Sequence, residues 1–166
     1  EVFTPYAGLA ALLAALQIPL HGLRMADWHT KGIWRKPLLW VLYLAYGWLL
    51  LGFVLQLAVY LSGVSPFLAL HAFAVGGIGM VTAGMMARVT LGHSGRDVFA
   101  PPAVESWIFL LLMLGAVLRV ILPLLDAAHY GLWVGLSQTL WIAAFSLFIG
   151  VHLPMLWGPR VDGRFG

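Results

Sequence analysis

An all-α bundle of about five membrane-spanning helices is the fold this sequence predicts, and three observations carry the prediction. Hydrophobic residues make up 62% of the 166 positions and charged residues only 9%, where a soluble domain carries roughly a quarter charged. Apolar runs at Tyr6–Leu23, Leu38–Leu61, Pro66–Leu91, Val104–Leu124 and Tyr130–Trp157 each reach the ~20 residues that cross a ~30 Å hydrocarbon core as a helix. The runs are continuous and rich in Leu, Ala, Gly and Met, without the short alternation of a transmembrane β-barrel. We label them A to E and expect one transmembrane helical domain over residues 1–166. The linkers are too short for a soluble domain, so any chemistry lies within or at the rim of the membrane.

Helix A contains Pro19 and meets a stop signal at His21-Gly22. Helix B starts after Pro37 and carries Trp40, Tyr43, Tyr46 and Trp48 in one half, the pattern of an interfacial aromatic belt reaching inward. The segments SGVSP (B to C) and LDAAH (D to E) are short enough to force antiparallel neighbours. Helix C divides into two faces at 100° steps. Ala72, Gly76, Gly79, Ala83 and Ala87 form a small-residue face suited to close helix packing, and His71, Val75, Ile78, Thr82, Met85, Met86 and Val89 form the other. Helix D holds Arg119 near its far end, and helix E begins just after His129.

Of the nine Lys and Arg, all but Arg119 fall on one side of a five-span topology: Arg24, Lys31, Arg35, Lys36, Arg88, Arg96, Arg160 and Arg164. The positive-inside rule makes that side cytoplasmic, with the C-terminus inside and the N-terminus outside. These cations also account for the pI of about 9.6, so no nucleic-acid partner is assigned. An outside N-terminus with neither Met nor an export signal predicts that the chain is the C-terminal part of something longer. With no cysteine, a metal must be held by His, Met or oxygen. There is no P-loop, nucleophile elbow, paired catalytic carboxylates or zinc-hydrolase motif, which argues against a conventional pump or hydrolase.

The histidines sort by depth. His71 and His93 stand 22 residues apart, roughly 33 Å along a continuous helix, so they cannot share one metal. His71 and His129 lie toward the outer face with Arg119 and Asp126, while His21, His93 and His152 form an inner set and His29 sits in a charged, solvated loop. The outer pair offers two imidazoles for axial ligation of haem iron, with Arg119 placed to meet propionates. The alternative has His129 hydrated and Arg119 snorkelling outward or pairing with Asp126. The inner set, with Met25, Met85, Met86 and Met155 at similar depth, suits copper, or is ordinary packing. Gln17, Gln56 and Gln138 are expected to bond across helices. Glu105 and Asp126 are the acidic residues that border spans, which gives little support to a carboxylate relay.

Residues 71–96, HAFAVGGIGMVTAGMMARVTLGHSGR, resemble the signature of the NnrS family of bacterial membrane proteins. The matching positions are His71, Ala72, Val75, Gly76, Ile78, Gly79, Gly84, Met86, Arg88, Val89, Leu91, Gly92, His93, Gly95 and Arg96, with Ser94 where threonine is usual. Trp28-His29 and the run Arg35 to Leu42 also resemble the family's approach to its next helix. The resemblance implies a haem- and copper-containing protein of the bacterial inner membrane, linked to denitrification and protection against nitric oxide. It implies a longer protein with further spans and histidines, so that a metal ligand or partner belongs to a missing N-terminal half or another membrane subunit. The rival expectation is a non-catalytic accessory subunit of a larger respiratory complex.

Overall fold

The computed structural model describes residues 6–163 and is helical throughout. Among those residues, five helices are long and apolar enough to cross a membrane: α1 (Ala7–Trp28), α2 (Pro37–Ser62), α3 (Pro66–His93), α4 (Val104–Leu125) and α5 (Tyr130–Trp157). A single 3-10 turn, Ala127–His129, leads into α5.

Proline starts both α2 and α3 at a position where the missing N–H is no loss. The α2–α3 turn closes on Gly63 in the left-handed region, φ +69°. Helix α1 does not stop at Gly22 but continues to Trp28. The Trp28 ring packs on Tyr46, and Met25 closes over Gly47; these contacts with α2 outweigh the weak helix propensity of one glycine.

Helix α2 is the hub, packing on α1, α3 and α4, while α4 and α5 form an extensive antiparallel pair. Helix α1 touches only α2 and buries little beyond Ala11 and Ala14. The core lies between α2, α3 and α4, around Val41, Ala45, Trp48, Met80, Phe109 and Leu112. Trp48 belongs to this core, 5% exposed, with its indole N–H 3.0 Å from the Met113 sulfur. It is therefore not part of an interfacial belt.

The small face of α3 is buried, as the spacing predicts, and Ile78, Thr82, Met85, Met86 and Val89 are exposed. What the glycines admit is mostly side chains. A β-carbon on Gly76 would fall inside the Trp48 indole, and one on Gly79 would come within 2.9 Å of Trp141. One feature was not foreseen: Ala72–Gly79 is wound as a π-helix inside α3. π turns occur mostly as short insertions in α-helices, often at functional sites.

The two ends of the bundle differ in charge. Lys36 Nζ donates to the Phe99 carbonyl at 2.8 Å, Arg160 donates to the His93 carbonyl at 3.1 Å, and the Val161 amide donates to Ser94 O at 3.2 Å. These bonds bring the α1–α2 loop, the α3–α4 loop and the C-terminal tail to one cation-rich end; Arg164 lies outside the described residues. Gly63, Asp126 and His129 mark the opposite end.

Candidate functional site

At the cation-poor end, α3, α4 and α5 enclose a cleft of about 410 Å³ lined by His71, Val75, Arg119, Ser137, Trp141 and Ile142, with Gln138 at its edge. His71 is the last residue before the π-helical stretch. Its Nδ1 lies 2.5 Å from the Phe67 carbonyl oxygen. A carbonyl only accepts, so Nδ1 carries the proton. The other nitrogen, Nε2, lies 2.9 Å from Arg119 Nη2. Guanidinium only donates, so Nε2 presents its lone pair. The two contacts together select the neutral Nδ1–H tautomer and aim the Nε2 lone pair at Arg119, beside the cleft.

Arg119 takes neither course of the alternative reading, outward to solvent or onto Asp126. Among the described residues its partner is the neutral His71, while Asp126 is bonded to His129 at 2.9 Å. A guanidinium without a carboxylate inside a membrane span is costly, and it favours an anionic group beside it. The apolar walls are supplied by Val75, Ile142 and the Trp141 ring. The Trp141 Nε1 is buried without a hydrogen-bond partner among the described residues, on the ring edge that packs towards Gly79 and Gly115. Ser137 Oγ, by contrast, donates to the Gly115 carbonyl at 2.7 Å, which ties α5 to α4.

The other sequence-predicted residues take separate places. His129 is exposed and is bonded to the Asp126 carboxylate, not to His71. That hydrogen bond from His129 holds the Asp126 carboxyl below the ordinary carboxylate value. His21 bonds to the Tyr46 hydroxyl and stacks on Phe53, on α1, which touches neither α3 nor α5. His93 is exposed at the cation-rich end, beside Arg88 and Arg160. His29 is exposed, as expected, and accepts a hydrogen bond from the Trp34 indole at 3.3 Å. The structure does not bring His21, His93 and His152 together, and no cluster of three or more His, Asp or Glu occurs among the described residues. Gln17, Gln56 and Gln138 make no cross-helix hydrogen bond among those residues, contrary to expectation. Gln138 is exposed at the cleft instead.

His152 has an unforeseen partner. Its Nε2 lies 3.0 Å from Glu105 Oε1, with the side chains 2% and 0% exposed. The contact is an ion pair when the imidazole is protonated, and Glu105 Oε2 is buried with no hydrogen-bond partner among the described residues. His152 Nδ1 donates to the Phe148 carbonyl at 3.0 Å, and the Phe148 ring stacks on the imidazole at 4.0 Å. A legible sign was available: Glu105 is the second residue of α4 and His152 the sixth from the end of α5. Antiparallel packing brings those depths level.

The NnrS protein family model matches residues 1–160. No curated protein and no solved structure matches the sequence. With a match over nearly the whole of a five-span helical chain, built around the histidine-bearing glycine-rich helix on which the resemblance rests, the chain belongs to the NnrS family.

Proposed function

We propose that this chain carries haem in the cleft at His71 and acts in nitric-oxide tolerance or denitrification-linked respiratory metabolism. Its place on this reading is the bacterial cytoplasmic membrane, with the cation-rich end and the C-terminus inside. The observation that carries the proposal is the tautomer of His71. The Phe67 carbonyl fixes the proton on Nδ1 and leaves Nε2 as a ligand facing a cleft that also holds an uncompensated guanidinium. A metal-binding histidine commonly has its other ring nitrogen bonded to a backbone carbonyl, as here.

The residues fit the group. His71 would supply a nitrogen to the iron and Arg119 a cation for a propionate, with Val75, Trp141 and Ile142 as apolar lining. Ferrous haem, when bound, supplies an iron that takes nitric oxide directly. His129 is engaged with Asp126, so the chain offers one imidazole at this cleft. Any further ligand to the iron would be nitric oxide itself or would come from the rest of the protein or another subunit. Copper is less well served, because His21, His93 and His152 form no cluster, with His21 on Tyr46 and His152 on Glu105; a copper ion here would draw ligands from outside the chain.

The test is optical. The purified protein, expressed in cells supplied with a haem precursor, should show a Soret band that shifts with nitric oxide. The His71→Ala variant, folded by circular dichroism, should lose it. A colourless wild-type protein would turn the reading to a haem-free accessory subunit, and an unchanged spectrum in His71→Ala would make His71 structural.

A further inference from the structure

At the cation-rich end two hollows meet at Arg88 and Val98. The smaller, about 80 Å³, lies between the start of α2 and the α3–α4 loop and is lined by Lys36, Leu38, Leu39, Phe99 and the two shared residues. The larger, about 450 Å³ and open to the surface, continues along Met85, Val89 and Gly92.

Their charges are unbalanced. Arg160 at the far rim is matched by Asp162, at 2.9 and 2.7 Å. Asp97 accepts from the Phe99 amide at 2.7 Å. Lys36 gives one N–H to the Phe99 carbonyl and keeps two more. Arg88 is exposed and has no hydrogen bond or acidic partner among the described residues. Both cations sit at headgroup depth: Lys36 immediately precedes α2, and Arg88 is five residues before the end of α3, about 8 Å along the axis. Trp107, 64% accessible, is of the amphipathic type that settles at the membrane interface, and the Phe99 ring is exposed beside the smaller hollow.

We propose that Lys36 and Arg88 form a binding site for an anionic phospholipid, with the phosphate in the smaller hollow and an acyl chain along Met85 and Val89. The shape favours an amphiphile over a free anion, because Lys36 and Arg88 stand over hollows walled mostly by apolar side chains, Leu38, Leu39 and Phe99 in the smaller and Met85, Val89 and Val98 in the larger. Basic pockets between membrane helices hold such headgroups by the same pairing of charge and acyl contact. The inference is independent of haem at His71, which lies at the other end of α3.

The experiment compares lipids retained by the full chain in native mass spectra after solubilisation from mixed phosphatidylglycerol and phosphatidylcholine vesicles, alongside thermal unfolding with each lipid added. Phosphatidylglycerol should be retained selectively and should raise the unfolding temperature. Lys36→Gln and Arg88→Gln should each weaken retention about fivefold. Arg35→Gln, which removes an exposed cation at the same end but outside both hollows, should leave it unchanged. Should Arg88→Gln fail to fold, Lys36→Gln carries the comparison. Equal retention in the Lys36 variant, an equal loss in the Arg35 variant, or displacement of the lipid by inorganic phosphate would each overturn the proposal, the last in favour of a free-anion site.

Discussion

Arg119 Nη2 stands 2.9 Å from His71 Nε2, so the cation of α4 caps the one lone pair that α3 directs into the cleft. The guanidinium must give way for that nitrogen to ligate a metal, and it then becomes free for an anionic substituent of the bound group. Replacing Arg119 with Gln keeps a donor but removes the charge. A charge-assisted bond contributes about 1.5–3 kcal/mol, so haem retention should fall roughly ten- to hundredfold while the Soret position in the remaining holoprotein stays that of a histidine complex. Haem titration of the solubilised variant measures both; retention equal to wild type would remove Arg119 from the site.

Glu105 and His152 are a buried pair in which each charge depends on the other. Removing one partner, as in Glu105→Ala, should cost about 3–5 kcal/mol, whereas replacing both by apolar residues of similar size should cost far less. Unfolding midpoints of Glu105→Ala, His152→Leu and Glu105→Leu/His152→Leu decide the matter. Additive losses in the double variant would show that the two residues act independently.

The glycines of α3 accommodate rings from neighbouring helices. Gly76→Leu would drive a side chain into the Trp48 indole, and Gly79→Leu would meet Trp141. Overpacking of this kind costs about 1–3 kcal/mol. Both variants should unfold at lower temperature, and Gly79→Leu should also perturb the cleft, because Trp141 lines it. An exposed control, Gly131→Leu, has open space around it and should leave stability unchanged.

Orientation is tested at the α3–α4 loop. Ser94 is a poor labelling position, being 4% exposed with its hydroxyl bonded to the Leu91 carbonyl. Ala100 is exposed. A cysteine placed there, in a chain with no other, should resist impermeant maleimide added to intact cells and react after lysis. Labelling from outside would invert the topology.

Much of this architecture is legible in the sequence because a bilayer leaves few alternatives. Apolar run length defines the spans, proline marks the starts of α2 and α3, and the distribution of Lys and Arg separates the ends. His71 was legible for the same reason, as an imidazole inside a span on the face of α3 opposite the small residues. Pairing was not. Whether Arg119 meets Asp126 or His71, and whether Glu105 is a rim residue or a buried one, depends on the rotation of α4 about its own axis, which a continuous leucine-rich helix does not encode by periodicity. Helix α1 illustrates another limit. Its extension past Gly22 is decided by contacts with Met25 and Trp28 across to α2, and local propensity cannot register those.

The π-helical turn at Ala72–Gly79 makes the direction of His71 a matter of chain length. Each residue of an α-helix advances the side chains by about 100°, and a π turn accommodates a surplus residue without breaking the helix. Upstream of the turn His71 faces Arg119; downstream of it, Met80, Ala83 and Ala87 face the core. Loss of one residue at Gly76-Gly77 would return the stretch to ordinary winding and swing one of these two faces away from its target. Lineages that gain or lose a residue here would therefore be expected to lose the approach of His71 to Arg119 while retaining both side chains.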